Sequence, residues 1–482
     1  MKRSLGPDTI RETGKRLEQA HAALARRYPG ESGRRQPVHT VYGGAHLFKA
    51  DIARRLGDSA LRSLHEFAPN FLSFAKAIGL PGSVSLPDSP ERAAALEEQW
   101  KADPDALRRE DRPAWLSCTI YNRVREKLRR EPVEDFRIDF EDGYGNRPDA
   151  EEDGHAAAAA GEVAAALNTG DLPPFIGIRI KPFSEELRER SMRTCDIFLT
   201  ELAEKTRAEL PPHFVVTLPK VMLPDEVSAL ADLFSQLEPA LGLEPGSLRM
   251  EVMVETTQSI LNERGESNLL HLVTAARGRC VAAHFGTYDY TAACNITAAH
   301  QTMTHPACDF AREMMKVALS GAGVWLSDGA TNILPVPPHR AAKDGPPLTW
   351  AQLSENRAAV HRAWRLHVEH IQHSLVNGFY QGWDLHPAQL PTRYAAVYSF
   401  FFDGLDAASE RLRNLVDKAA QATLVGEVFD DAATGQGLLN YFLRAINCGA
   451  ITAEEALPLT GLAVEELRLG SFAKILNTRT KV

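Results

Sequence analysis

Nowhere along the 482 residues is there a run approaching the ~18 consecutive apolar side chains that a membrane-spanning helix requires. The opening stretch, MKRSLGPDTIRETGKRLEQA, lacks the apolar segment of a secretory signal, so the expected compartment is the cytoplasm. Cysteine is sparse: the six residues Cys118, Cys195, Cys280, Cys294, Cys308 and Cys448 are scattered, with no C-x-x-C pair. That spacing excludes a zinc ribbon or a dithiol redox motif and reads as reduced core cysteine. Positive charge is not in excess either. Lys and Arg number 54 against 63 Asp and Glu, a formal net charge of −9 distributed over mixed-sign segments, which leaves no footprint for nucleic acid. With 44% hydrophobic and 24% charged residues the composition is that of a globular chain, which excludes disorder and fibre. The length suits one large domain plus a smaller one. The expected partner is a small-molecule substrate, with neither nucleic acid nor membrane, and a homo-oligomer is compatible with all of this.

What is present is a regular alternation. Residues 8–28 read as a polar amphipathic helix, followed by the break GESGRRQP and a short apolar segment, Val38 to Tyr42, closed by Gly43–Gly44. From about 47 to 131 the pattern is helical throughout and reads as an insertion. Beyond it, apolar runs at 133–140, 175–180, 214–218, 249–254, 280–285, 321–326 and 382–385 alternate with helix-length segments. Several of these runs read as apolar on both faces, as strands of a helix-covered parallel sheet do. Counting the first segment there are eight, which predicts a closed (β/α)8 TIM barrel, with an open doubly wound sheet as the alternative. The expected domains are an N-terminal helix (1–36), the barrel with its insertion (37–390), and a C-terminal helical domain (391–482) with helices near 393–422, 436–447 and 453–467.

In such barrels, chemistry gathers where strands end. The second strand ends Asp139–Phe140–Glu141–Asp142–Gly143, the third carries Arg179 and Lys181, and the fourth ends Leu218–Pro219–Lys220. The fifth ends Glu255–Thr256, and the sixth runs His284–Phe285–Gly286–Thr287–Tyr288–Asp289. Because strand side chains alternate, Asp139 and Glu141 must share a face. Glu255 and Asp289 close neighbouring strands, where two carboxylates repel unless one is protonated or a cation lies between them. Magnesium suits that set, since it takes one or two protein carboxylates and completes its shell with water and substrate oxygens. The competing reading is that both residues cap the helices that follow. Lys220 could form a Schiff base in a metal-free aldolase or pair with nearby carboxylates. His284 could be a base or a hydrogen-bonded core residue, and His386–Pro387 reads as rim structure.

The stretches VHTVYGG (38–44), RIDFEDG (137–143), GIRI (177–180), LPKVMLPDEV (218–227), VMVETTQSIL (252–261), FGTYDYTAA (285–293) and GFYQGWDLHPAQL (378–390), in that order, resemble the superfamily of citrate lyase β-subunits, malyl-CoA lyases and malate synthases, the aldolase-like barrels. The segment Phe429–Asp430–Asp431–Ala432–Ala433–Thr434 resembles the motif that opens the C-terminal helical domain of malate synthases, and HPACDFAREMMKVAL (305–319) also resembles that branch. The resemblance implies a Mg2+-dependent enzyme, with Mn2+ as a substitute. Glu255 and Asp289 would hold the metal, Arg179 would bind a 2-oxo acid such as glyoxylate, and Asp431 would be the base that deprotonates an acyl thioester such as acetyl-CoA. Asp139 and Glu141 would orient metal-bound water and the arginine, while Lys220, Gly286, Thr287 and Tyr288 would contact substrate.

Two departures bear on specificity. Malate synthases carry Arg–Trp where this chain has Thr287–Tyr288, and Gly-Gly-Met where it has Leu326–Ser327–Asp328–Gly329–Ala330. Those positions line the pocket, so a different acceptor acid or acyl donor is compatible with them, while the resemblance itself implies a Claisen condensation of an acyl-CoA with a 2-oxo acid, catalysed by a transferase, or its reverse, catalysed by a lyase. A metal-dependent aldolase that uses no coenzyme A is the alternative within chemistry, and a non-catalytic binding barrel the alternative outside it.

Overall fold

A computed structural model describes residues 4–30, 33–342, 345–417, 423–425, 428–430 and 432–479. Eight parallel strands close into a barrel in sequence order: β1 (His39–Gly44), β2 (Asp135–Asp139), β3 (Phe175–Arg179), β4 (Val215–Leu218), β5 (Arg249–Val254), β6 (Cys280–Phe285), β7 (Trp325–Ala330) and β8 (Gln381–Asp384), with β8 pairing back onto β1. The open-sheet alternative is thereby set aside. Seven strands lie where the apolar runs place them. The seventh corrects the expectation for 321–326: Gly321 and Gly323 adopt positive φ in a turn, and the strand starts at Trp325 and continues through Ser327, Asp328 and Gly329. Polarity hid its second half, because Asp328 is buried against Arg312 and Ser374 instead of meeting solvent.

Only the outward face of the strands is continuously apolar. Val41, Phe136, Ile138, Ile176, Ile178, Val216, Leu218, Met250, Val252, Ala283 and Phe285 are buried in the layer between strands and helices. The alternate positions include Thr40, Tyr42, Asp135, Arg137, Asp139, Arg179, Thr217, Glu251, His284, Ser327 and Gln381, and these face the axis. Arg137 demonstrates it. From β2 its guanidinium donates to Thr217 Oγ1 on β4 at 3.1 Å and to Glu251 on β5 at 3.0 and 2.7 Å, partners it reaches only through the interior. Its other nitrogen pairs with Asp135, which also accepts from Thr40 at 2.8 Å. Gly177 is the register partner of Arg137, and a Cβ there would collide with Val215. The axis is thus filled by a paired ionic ladder where many such barrels stack aliphatic side chains, and each charge in it has a partner, as a dry interior requires.

A second buried network fastens the seam between first and last strands. Asp384 of β8 meets His39 of β1 at 2.7 Å, His367 at 3.1 Å and Arg393 at 2.9 Å, the last two coming from the helices Trp350–Val376 and Leu390–Asp417. The helix Leu390–Asp417 also packs on Arg112–Arg130, the longest helix of the insertion after β1, so it belongs equally to the barrel shell and to the helices beyond. The C-terminal helices are Ala432–Asn447, Ala453–Thr460, Val464–Arg468 and Phe472–Arg479, with Gly461 at φ 71° ending the second where one continuous helix is expected. The helix Pro7–Arg27 buries none of its residues. Among the described residues no helix is long and apolar enough to cross a membrane, and all six cysteines are unpaired.

Candidate active site

Strand register assembles the first part of the site. Asp139 and Arg179 are direct partners across β2 and β3, and the pair is bidentate: Nε donates to Oδ1 at 2.7 Å and Nη2 to Oδ2 at 2.6 Å. Asp139 also accepts the backbone N–H groups of Glu141 at 3.0 Å and Gly143 at 2.7 Å, so its oxygens are fully engaged in holding the arginine plane. Position 143 is glycine for a steric reason, since a Cβ there would press on the Asp139 carboxylate. The remaining nitrogen, Nη1, lies 3.1 Å from Glu141 Oε2, and the Tyr42 ring covers the guanidinium at 4.6 Å. Asp139 and Glu141 therefore do share a face, while Phe140 between them packs outward on Phe198. Tyr42 is a residue that motif reading missed. Its signal was the alternation Thr40, Tyr42, Gly44 along β1, which aims every second residue at the axis.

The second part comes from β4, β5 and β6. Glu255 follows β5 directly, is 1% exposed, and accepts the Lys220 backbone N–H at 2.7 Å. Burial first, and then the nearby Asp289, push its carboxyl up to about 8. The capping alternative fails for Glu255, because Thr256 is the residue whose hydroxyl accepts from Ser259 N–H at the start of the next helix. Asp289 sits in the first turn of the helix Thr287–Ala293, half exposed at the mouth. Gly286 precedes that helix, and a Cβ there would strike the Glu255 carboxylate. Lys220 has the left-handed φ of 51°. Its ammonium pairs with Glu141, lies 3.3 Å from both Asp142 oxygens and 3.6 Å from Asp289 Oδ1. Burial works against that charge, yet the carboxylates of Glu141 and Glu255 outweigh it and hold the lysine above its usual range. An amine so held stays protonated, which removes the ground for a Schiff-base lysine. Burial raises Glu141, while Lys220 and Arg179 overcome the burial of Asp142 and hold it low. Among the described residues no three His, Cys, Asp or Glu side chains stand as a ready-made metal cage.

The other expected residues divide. Thr287 is buried with its hydroxyl on Met303 Sδ, and Tyr288 donates to Ala330 O at 2.8 Å and accepts from Asn332 N–H at 3.0 Å, tying the exit of β7. His284 is fully buried inside the barrel, 3.3 Å from Glu251, and neither ring nitrogen has a hydrogen bond, so it is not the satisfied core histidine that burial alone suggests. His386 accepts from Ala388 N–H at 3.1 Å and stands on the rim, beside an apolar cavity of about 180 Å³ lined by Tyr42, Phe48, Phe136 and Leu390. Lys181 is buried on Glu152 and the Phe140 carbonyl, facing away from the mouth. Asp431 lies outside the described residues.

Comparison with known proteins gives one family match: residues 17–475 fit the model of a family described as "Domain of unknown function (DUF6986)". No curated protein matches. Among solved structures, a citrate lyase from Burkholderia xenovorans is 19% identical over 70% of this chain and 92% of that one, with a TM-score of 0.50. A malate synthase of Haloferax volcanii, a magnesium/glyoxylate complex, is 16% identical over 93% of this chain and 99% of that one, at a TM-score of 0.42. The protein CitE from Mycobacterium tuberculosis, in complex with magnesium and pyruvate, is 15% identical over 58% and 87%, at 0.34. At these identities the likeness to the citrate lyase is one of fold.

Proposed function

The chain belongs to the DUF6986 family, and for it we propose a divalent-metal-dependent carbon–carbon lyase or synthase acting on a 2-oxo acid or the hydroxy acid derived from it. One observation carries the reading. At the C-terminal mouth of a (β/α)8 barrel, a guanidinium fixed in plane by Asp139 stands beside Glu141 and Asp142, with Glu255 and Asp289 on the neighbouring strand ends, and burial together with Asp289 pushes Glu255 up to about 8.

The donor set fits a hard cation: the groups are carboxylates, without thiolate or imidazole among them, and Gly286 leaves room at Glu255 that any side chain would fill. Glu255 and Asp289 would hold Mg2+, or Mn2+ in its place. A cation held there would supply Lewis-acid polarisation of the carbonyl of a 2-oxo acid. Arg179 presents Nη1 to the oxygen where negative charge develops, and Asp139 prevents that fork from turning. Tyr42 shields the guanidinium from water on one side. Glu141 and Lys220 set the charge of the mouth around the acid. Asp431, by the resemblance of its segment to malate synthases, would take the α-proton of an acyl thioester, the resulting carbanion attacking the oxo carbon and the alkoxide so formed taking up a proton; hydrolysis of the hydroxyacyl thioester by water, where it follows, would release the free thiol. The reverse order of the same steps is cleavage.

The test is a screen of glyoxylate, pyruvate and longer 2-oxo acids with Mg2+, with and without acetyl-CoA or propionyl-CoA, read as free thiol and as product by mass spectrometry, together with cleavage of the matching hydroxy acids. Condensation or cleavage that chelator abolishes supports the proposal. Cleavage of a hydroxy acid with no thioester would replace the acyl-CoA reading by the aldolase one. No turnover on any pair, with Arg179→Ala binding 2-oxo acids as well as wild type, would end both.

A further inference from the structure

The acidic mouth draws its carboxylates from the ends of β2, β5 and β6, and among the described residues the flexible side chain that brings positive charge to them is that of Lys220. Arg179 is locked on Asp139, and the ammonium that reaches Glu141, Asp142 and Asp289 together is that of Lys220. The residue is anchored at its backbone, while its tip is held only by ion pairs at a part-exposed position. Its N–H is gripped by Glu255 at 2.7 Å, and its φ of 51° puts the main chain in a left-handed conformation that non-glycine residues seldom adopt. The side chain is 29% exposed and ends in four rotatable bonds, so Nζ can withdraw toward solvent without moving the loop. Two of the carboxylates it touches or binds through its backbone, Asp289 and Glu255, are those that the proposed function assigns to the metal.

We infer that Lys220 is a tethered counter-ion: in the metal-free protein its ammonium occupies the place of the divalent cation among the mouth carboxylates, and metal binding displaces it. The inference rests on the metal reading of this mouth. It explains why carboxylates from β2, β5 and β6 gather here without standing as an open cage, since the ammonium draws Glu141 and Asp289 toward itself. Without a metal the site thus avoids accumulating unneutralised charge. The cation must compete with a covalently attached rival, so the affinity is lower than the carboxylates alone would give. Once displaced, Nζ is released at the mouth as a cation for an anionic substrate, which makes metal first and acid second the favoured order of binding.

The experiment is a Mn2+ titration, followed by electron paramagnetic resonance of the free ion, on the whole chain as wild type, Lys220→Met, Lys220→Asn, Lys220→Arg and Glu255→Gln. Lys220→Met and Lys220→Asn should bind Mn2+ about tenfold tighter than wild type or better, because a like charge within a few ångströms of the site has gone. Lys220→Arg should bind no tighter than wild type, and Glu255→Gln should lose binding. The Asn variant guards the test, since Asn tolerates left-handed backbone where Met could disturb folding. Wild-type binding that depends on Glu255, with affinity unchanged or weakened in both the Met and Asn variants, overturns the counter-ion while leaving the metal site standing. No Glu255-dependent binding in any of these proteins overturns the metal reading, and the inference with it.

Discussion

Replacing Glu255 by Gln in the metal-free protein should make it more stable, and by an amount that grows with pH. The carboxyl has an ordinary value of 4.5 and is raised to about 8 in the folded chain by burial and by Asp289. Below 4.5 both states hold the proton and nothing is lost. Between 4.5 and 8 the unfolded chain releases its proton while the folded chain keeps it, so stability falls as pH rises and levels off above the folded value. At about 1.4 kcal/mol per unit this sums to about 5 kcal/mol. Gln has nearly the same shape, retains an oxygen for the Lys220 N–H, and does not titrate. The advantage of the variant should be about 1 kcal/mol at pH 5.5 and about 5 kcal/mol at pH 8.5. For a chain of 482 residues, with an unfolding entropy on the order of 1 kcal/mol/K, the latter corresponds to about 5 °C in Tm. Differential scanning calorimetry of both proteins in chelator at the two pH values measures it, and adding Mn2+ should close the gap by stabilising wild type alone. A variant less stable than wild type at pH 8.5, or a difference that ignores pH, would refute the reasoning.

Arg179→Lys should cost nearly as much kcat/KM as Arg179→Ala, at least a hundredfold, because the two-pronged contact with Asp139 is a planar fork that an ammonium cannot reproduce; near-normal turnover of the Lys variant would show that the fork is dispensable. Arg137→Met should destabilise the fold by about 3–5 kcal/mol at neutral pH by leaving Asp135 and Glu251 buried without their counter-charge. That loss should shrink toward acid pH as the carboxylates take up protons, which urea unfolding at pH 5 and pH 7 reads directly. Asp431→Asn should leave circular dichroism and 2-oxo acid binding intact while abolishing exchange of acetyl-CoA methyl protons with solvent deuterium, followed by NMR; exchange that persists would move the base elsewhere.

The barrel was legible because its outward positions obey a simple rule. Ile176 and Ile178, Val216 and Leu218, and Val252 and Val254 must meet helices, so they stay apolar and recur at helix-spaced intervals. The same rule made β7 start too early: the apolar stretch GAGVWL ends where the strand is only beginning, and its continuation is carried by Asp328, whose partner Arg312 lies on a helix that the local pattern does not reveal. At the candidate site, Asp139, Arg179 and Glu255 stand out in the sequence because they lie at the ends of apolar runs, and Asp289 because it follows the sixth run within one helical turn. The bond between Asp139 and Arg179 needed the β2–β3 register, and the role of Tyr42 needed the curvature that brings β1 over β3. Lys220 shows the limit most clearly. A lysine after a strand-ending proline announces chemistry, but only the three-dimensional arrangement distinguishes an amine poised to react from an ammonium surrounded by acids.

The ionic ladder along the barrel axis has a consequence for how this sequence can change. Asp135, Arg137 and Glu251 belong to two strands on different sides of the barrel, and each neutralises another. Altering one residue strands its partners, whereas exchanging the three together for apolar side chains of matching volume need carry little or no penalty. Single steps from the present interior are therefore closed and concerted ones are open. Members of the family should accordingly fall into discrete classes, with 135, 137 and 251 switching as a block, and a laboratory search by single substitutions should find this interior immutable even though other interiors would serve the same strands.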